Sequence, residues 1–272
     1  MLYKRSTVLF ISPRLPYPPV GGDRLKNYWL LKILTKHFDV HLVSLTDTDV
    51  PVEFYKFAEE NGFSCRIFKK NKLSYYANAF KGIFSNKPIQ INYYFFKDVK
   101  AYINSIISKF DLIITSLIRT SEYVINIDKP KILIMTDSIA LHYKNAINKT
   151  NSKFWKILYK LESDRLISYE KKCIELFDKT LFVNKKEMEF FNEPSKTIWN
   201  PNGVEDILFS YEKYNPEYKN YITFFGKMDY QPNIDAVLWF IKNVLPILDK
   251  DIKFCIVGAY PPKMLLNMQK KT

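Results

Sequence analysis

Short apolar runs alternate with stretches of helical period along most of this chain, and that order constrains the fold more than any other feature. Val8-Leu9-Phe10-Ile11 reads as a buried strand, because an unbroken branched and aromatic run suits a sheet covered on both faces. A Pro- and Gly-rich loop, residues 12–23, leads into residues 24–36, where Leu25, Trp29, Leu30, Ile33 and Leu34 recur at helical spacing. Residues 40–45 follow as a second strand. Such a unit crosses over right-handed and gives parallel strands. The alternation continues through expected strands at 65–68, 112–116, 131–135 and 180–183, with helices over 99–109, 153–177 and 185–191. The fold class is therefore α/β, with a doubly wound parallel sheet.

Asn200-Pro201-Asn202-Gly203 is a dense cluster of helix and strand breakers, and residues 201–220 read as a linker. It separates an N-terminal Rossmann-like domain, 1–200, from a restart of the same pattern over 221–272. There a strand at 221–225, a helix at 234–247, a strand at 253–257 and a helix from near Lys263 are expected. Two strands and one or two helices are too few to bury a doubly wound core. The second domain is thus expected to be incomplete, and an unpaired apolar strand edge to favour self-association.

Several function classes are excluded by what the chain lacks. No apolar run approaches the roughly 20 residues of a membrane-spanning helix, and residues 7–11 are too short for a secretory leader, which predicts a cytoplasmic protein. Cys65, Cys173 and Cys255 are odd in number and far apart, so neither a disulfide scaffold nor a zinc site is expected. His37 and His41 have helical metal-pair spacing, but Phe38-Asp39-Val40 between them reads as a helix end turning into a strand. No metal is expected. The net charge of +13 is spread along the chain without a nucleic-acid-binding motif, so nucleic acid is not an expected partner. Only seven glycines occur, which makes each of them a position where a side chain would be costly.

Gly21-Gly22-Asp23-Arg24 follows the first strand and opens the first helix, where backbone N–H groups attract anions and glycine permits close approach. Without a third glycine it is no dinucleotide fingerprint. Asp23 is also a natural helix N-cap. Asp137, with Ser138, ends the 131–135 strand and points to the carboxyl side of the sheet, suited to a general base or an acceptor-positioning group, or to an Asx cap of the next helix. His142 is read as a packing residue. Asp47-Thr48-Asp49 has a metal-binding DxD spacing but sits in a turn context that favours acids anyway. Glu170 and Glu187 lie among lysines and are expected in solvated ion pairs. Lys153, Lys156 and Lys160 interleave with Phe154, Trp155 and Tyr159, a pattern that fits a solvated face or an anionic membrane surface.

Taken together, the segments resemble a GT-B-fold glycosyltransferase of the family-4 (group 1) kind, in the branch of bacterial sugar transferases linked to exopolysaccharide synthesis. The resemblance rests on Phe10-Ile11-Ser12-Pro13-Arg14-Leu15-Pro16-Tyr17-Pro18-Pro19 with Gly21-Gly22-Asp23-Arg24, Tyr169-Glu170-Lys171, Leu181-Phe182-Val183-Asn184 and Asn202-Gly203-Val204. It continues through residues 225–237, which include Pro232-Asn233-Ile234-Asp235-Ala236-Val237, and through Ile256-Val257-Gly258. It implies transfer of a sugar from a nucleotide-sugar donor to a saccharide or lipid-linked acceptor, with retention, without a metal or other cofactor. Gly21, Gly22, Asp23 and Arg24 would line the site near donor phosphates and acceptor, Asp137 would face the acceptor, and Gly226, Lys227 and Gly258 would belong to the donor side. Gln231-Pro232-Asn233 stands where members usually carry a basic residue, and the acidic E-x7-E segment that grips the donor lies beyond Thr272. The resemblance is thus to a C-terminally truncated member, expected not to turn over a nucleotide sugar at a useful rate as it stands, or to a non-catalytic acceptor- or partner-binding remnant completed by a second polypeptide.

Overall fold

The structure, a computed structural model, describes residues 5–268 apart from 151 and 214. The chain divides into two compact units, Met1–Gly203 and Val204–Thr272. The first is built on a seven-stranded sheet of β1 (Thr7–Ser12), β2 (Asp39–Thr46), β3 (Ser64–Lys69), β4 (Leu112–Ser116), β5 (Lys131–Thr136), β6 (Lys179–Phe182) and β7 (Thr197–Trp199). Their order is β3-β2-β1-β4-β5-β6-β7, every pairing parallel.

Strand periodicity sorts the apolar side chains into two cores. Leu9, Ile11, Val43, Leu45, Ile113, Leu133 and Met135 face one side; Val8, Phe10, Val40, Leu42, Ile114 and Ile134 face the other. Helices α1 (Gly22–Leu34) and α2 (Val52–Glu60) cover the second face through Leu31, Phe54 and Phe57. The first face is closed by α3 (Lys72–Ile83), α4 (Ile89–Tyr93), α5 (Lys97–Ile106) and α7 (Lys153–Leu176), which supply Tyr75, Ile91, Val99, Ile103, Tyr169 and Cys173. Between β5 and α7 runs α6 (Ile139–Lys149), and α8 (Lys185–Phe191) follows β6. Both faces of the sheet are thus covered, the doubly wound arrangement expected from the alternation. Burying one such Leu or Phe contributes about 2–3 kcal/mol.

The differences from the sequence reading have local causes. Helices α2, α3 and α4 were not expected, because their aromatic and polar composition masks a clean period; their starts are set by Pro51, by the Asn71 side chain and by Pro88. Helix α1 begins at Gly22, not Arg24, with Gly21 in the N-cap position, so Asp23 is inside the first turn and does not cap it. Ser138, not Asp137, caps α6 by accepting the Leu141 N–H at 3.2 Å. His41 lies in β2 and bonds Ser64 and Tyr102.

In the second unit, β8 (Tyr221–Phe225) and β9 (Lys253–Val257) pair in parallel, with α9 (Gln231–Asn243) and α10 (Lys263–Met268). Met228, Val237 and Leu265 form its buried core, and Phe240 stacks on Phe254 with ring centroids 4.4 Å apart. Helix α9 starts three residues earlier than its apolar period because Pro232 is tolerated in a first turn, where its missing N–H has no partner to lose.

Candidate functional site

In the first unit the chain order reverses between β1 and β4, so the carboxyl ends of these strands frame the crevice where open α/β sheets bind ligands. The two ends are joined by a buried polar link. Asn27 of α1 donates to Ser12 Oγ at 3.0 Å and accepts from Ser116 Oγ at 2.9 Å. Immediately beyond, Leu117 and Thr136 hold positive φ values of 62° and 67° at the ends of β4 and β5. Left-handed backbone at non-glycine residues costs of order 1 kcal/mol or more and gathers at functional sites.

Helix α1 brings its N-terminus to this edge. Gly21 has φ 99°, a conformation that disfavours any side chain, whereas a Cβ at Gly22 would meet nothing within 4 Å. No side chain caps the helix; Asp23 accepts the Arg24 N–H at 3.0 Å and pairs with Arg14 at 3.3 Å. Arg14 also donates to the Tyr94 hydroxyl at 3.3 Å. Arg24 lines a cavity of about 320 Å³ with Leu15, Tyr17, Thr46, Thr48 and Asp49. The DxD acids are engaged by lysines, Asp47 facing Lys72 at 3.9 Å and Asp49 bonded to Lys69.

One residue absent from the sequence reading completes this edge. The Nζ of Lys26 is shielded from solvent and has no hydrogen-bond partner among the described residues. Burial lowers its pKa, and the nearby charge of Asp137 opposes that shift. Its signal was the i, i+4 spacing from Gly22, which places both on one face of α1.

Asp137 sits at the end of β5 with its carboxylate free of hydrogen bonds among the described residues, within electrostatic range of Lys26 and Glu187. The turn that carries it is clamped from behind by two acids. Glu170 of α7 is fully buried and accepts the Ser138 hydroxyl at 2.6 Å and the Ala140 N–H at 3.2 Å. Glu187 of α8, also buried, accepts the Ser138 N–H at 2.6 Å. The expectation of solvated ion pairs for Glu170 and Glu187 is therefore corrected: amphipathic lysines on α7 and α8 face solvent while the acids turn inward to orphan donors of the β5–α6 turn. Burial pushes Glu170 up to about 7 and raises Glu187, for which the Asp137 charge adds to the effect. His142 is not a packing residue. Its ring is exposed and stands 3.7 Å from Glu187.

In the second unit, Gly226 and Gly258 occupy the carboxyl ends of β8 and β9. The Gly226 N–H donates to Val257 O at 3.0 Å, and a Cβ at Gly226 would approach Asn233 Nδ2 to 2.8 Å. Lys227 pairs with Asp229 at 2.9 Å and lies 5.3 Å from the Tyr260 ring centre. Each glycine thus has a steric reason of its own. Lys153, Lys156 and Lys160 are exposed on α7, beside exposed Phe154, Trp155 and Ile157. Among the described residues no helix is long and apolar enough to cross a membrane.

No family model matches the chain. It is 28% identical over 267 residues to an uncharacterized 44.6 kDa protein in the cps region of Klebsiella pneumoniae, covering 92% of this chain and 64% of the relative; the chain thus spans less than two thirds of that protein's length. Among solved structures it is similar to a UGT2 from Phytolacca americana complexed with UDP-2-fluoro-glucose and pterostilbene, at 12% identity and a TM-score of 0.52, covering 96% of this chain and 73% of that one. A UGT from Medicago truncatula complexed with UDP-glucose matches at 12% identity and TM-score 0.51, covering 98% and 70%. An α,α-trehalose-phosphate synthase (UDP-forming) from Burkholderia vietnamiensis matches at 11% identity and TM-score 0.50, covering 98% and 67%. At these identities the likeness concerns architecture, and the architecture it shows is the GT-B, Rossmann-like fold.

Proposed function

We propose that the chain belongs to a glycosyltransferase that moves a sugar from a nucleotide-sugar donor to a saccharide or lipid-linked acceptor during bacterial polysaccharide synthesis. The observation that carries this reading is the unpartnered Lys26 ammonium, within electrostatic range of Asp137, beside the open N-terminus of α1 at the sheet's switch point of a GT-B fold. Uncapped N–H groups and a buried, unpartnered ammonium favour an anion such as a diphosphate, and the leaving diphosphate gains charge as the glycosidic bond breaks. The Asp137 carboxylate, with no hydrogen bond of its own, is suited to orient an acceptor hydroxyl and take its proton. The cps-region relative supports the polysaccharide context. The second unit's Gly226 and Lys227 keep the donor-side role that the resemblance gives them, and for Lys227 that role requires leaving Asp229. Transfer with retention and without a metal belongs to the same proposal.

Calorimetry of the full chain against a panel of uridine, guanosine and thymidine diphosphate sugars tests it. One member of the panel is expected to bind. Lys26→Met should weaken that binding about tenfold to a hundredfold, the scale of a lost charge-assisted contact. Binding of no panel member, or binding indifferent to Lys26, would sink the proposal.

A steric test accompanies this one. Gly22→Val should abolish the binding while the melting temperature of the Met1–Gly203 unit stays near wild type, since a Cβ there meets nothing within 4 Å. Intact binding with a large fall in melting temperature would make the loop purely structural.

A further inference from the structure

We propose that α3 is a membrane-surface helix that lies in the interface of an anionic lipid bilayer. It carries an unusual amount of uncovered apolar surface. Leu73 is 78% exposed, Phe80 64% and the following Phe84 81%, with Tyr76 and Ile83 also exposed. At 3.6 residues per turn these five side chains fall on one stripe about 16 Å long. The opposite face is anchored: Tyr75 is buried in the core, and Gly82 is pressed so close to Asn92 of α4 that a Cβ there would come within 2.8 Å of the Asn92 side chain. The stripe is therefore held outward by packing, not left over from a poorly fitting helix.

Charge selects the occupant. The same helical wheel sets Lys72 along one edge of the stripe and Lys81 along the other, and no Asp or Glu occurs anywhere in residues 61–97; Lys72, 3.9 Å from Asp47, is still largely exposed. Long lysine stems flanking an apolar stripe bury their methylenes and reach outward to phosphate groups. Docking of a second copy through the same stripe would bring the lysines of two helices together, and like charges oppose that. An anionic lipid surface satisfies both features at once.

Helix α3 is linked to α7 through α4. Helix α4 packs against α3, and its Ile89 N–H donates to Glu162 of α7 at 2.7 Å, so α4 is tied to both helices. The N-terminal half of α7 carries Lys153, Lys156 and Lys160 with exposed Phe154 and Trp155. The surface does not depend on the sugar-transfer reading, since none of its residues belongs to the Lys26–Asp137 site.

Flotation of the full chain with vesicles of phosphatidylglycerol and phosphatidylcholine in equal parts, against phosphatidylcholine alone, tests the proposal. Wild type should float with the anionic vesicles and less so in high salt. The triple variant Leu73→Ser, Phe80→Ser, Phe84→Ser should partition at least about tenfold more weakly at an unchanged melting temperature, and Lys72→Gln with Lys81→Gln about fivefold per lysine. Nucleotide-sugar binding by calorimetry should be untouched by either. Absence of flotation overturns the proposal, as does flotation that the α3 variants leave intact, including loss only with Lys153→Gln, Lys156→Gln, Lys160→Gln. A wild-type dimer in sedimentation that the triple variant makes monomeric, with vesicle binding unaltered, would assign the stripe to a second copy and overturn it as well.

Discussion

Gly258→Ala should unfold the Val204–Thr272 unit and leave the Met1–Gly203 unit intact. A Cβ at 258 would stand 1.7 Å from the carbonyl oxygen of Gly226 and 2.8 Å from its carbonyl carbon. Both are backbone atoms, so no side chain can swing aside. The strand ends are also fixed to each other, with Gly226 N–H donating to Val257 O at 3.0 Å and Met228 N–H to Ala259 O at 2.8 Å. Relief requires β8 and β9 to part, which breaks those bonds at about 1 kcal/mol each and opens the small core around Met228. With an overpacking cost of about 1–3 kcal/mol, the loss reaches on the order of 4 kcal/mol. A unit with one strand pair and so small a core has little more than that to lose. Hydrogen exchange should show loss of amide protection in β8, β9 and α9, with β1, β4 and β5 still protected. Gly22→Ala, which meets open space, is the matched control. Wild-type protection of β8 in the Gly258 variant would contradict the close approach.

Much of this architecture is legible in the sequence because it is written in apolar periodicity, which responds to burial. Strands β1, β4 and β5 centre on continuous apolar runs, β2 is apolar apart from His41 and Ser44 between its ends, and each falls within a residue or so of its expected place. Helix α3 is not legible in that way, nor is the short α4 packed against it through Ile91. Helix α3 packs through Tyr75 and Gly82 and exposes Leu73, Tyr76, Phe80 and Ile83, so the stripe that defines it lies outside the core and confuses a reading that equates apolar with buried. The site shows the same division. Gly21 and Gly22 stand out because glycine is scarce, and Asp137 because it ends a strand. Lys26, Glu170 and Glu187 do not, since lysine and glutamate on a helix default to solvent. Their burial follows from tertiary demands: the β5–α6 turn leaves the Ser138 N–H, the Ser138 hydroxyl and the Ala140 N–H in need of acceptors, and only the packed α7 and α8 can deliver them.

Glu170→Gln should flatten the pH dependence of the stability of the Met1–Gly203 unit. In the folded chain burial pushes Glu170 up to about 7, against an ordinary value of 4.5 in the unfolded chain. The folded state therefore holds a proton that the unfolded state has released, and stability falls as pH rises from about 4.5 through about 7. The full difference amounts to about 3 kcal/mol, with most of it lost between pH 5 and pH 8. Glutamine keeps the shape, its oxygen accepting the Ala140 N–H and its amide N–H donating to Ser138 Oγ as the hydroxyl of the protonated acid does, but does not titrate, so its variant should lose this slope at little cost in stability at low pH. Glu187, raised in the same direction by burial and by Asp137, leaves a smaller residual slope that Glu187→Gln would remove in turn. The charged groups around the clamp are Asp137, His142 and Lys26; at Glu187 the Asp137 charge adds to the rise caused by burial and His142 opposes it. Urea denaturation of wild type and variant at pH 5 and pH 8 reads the effect directly. Equal losses of stability in the two proteins would show that Glu170 is ionised in the folded state, and that the turn carrying Asp137 is held by a full negative charge.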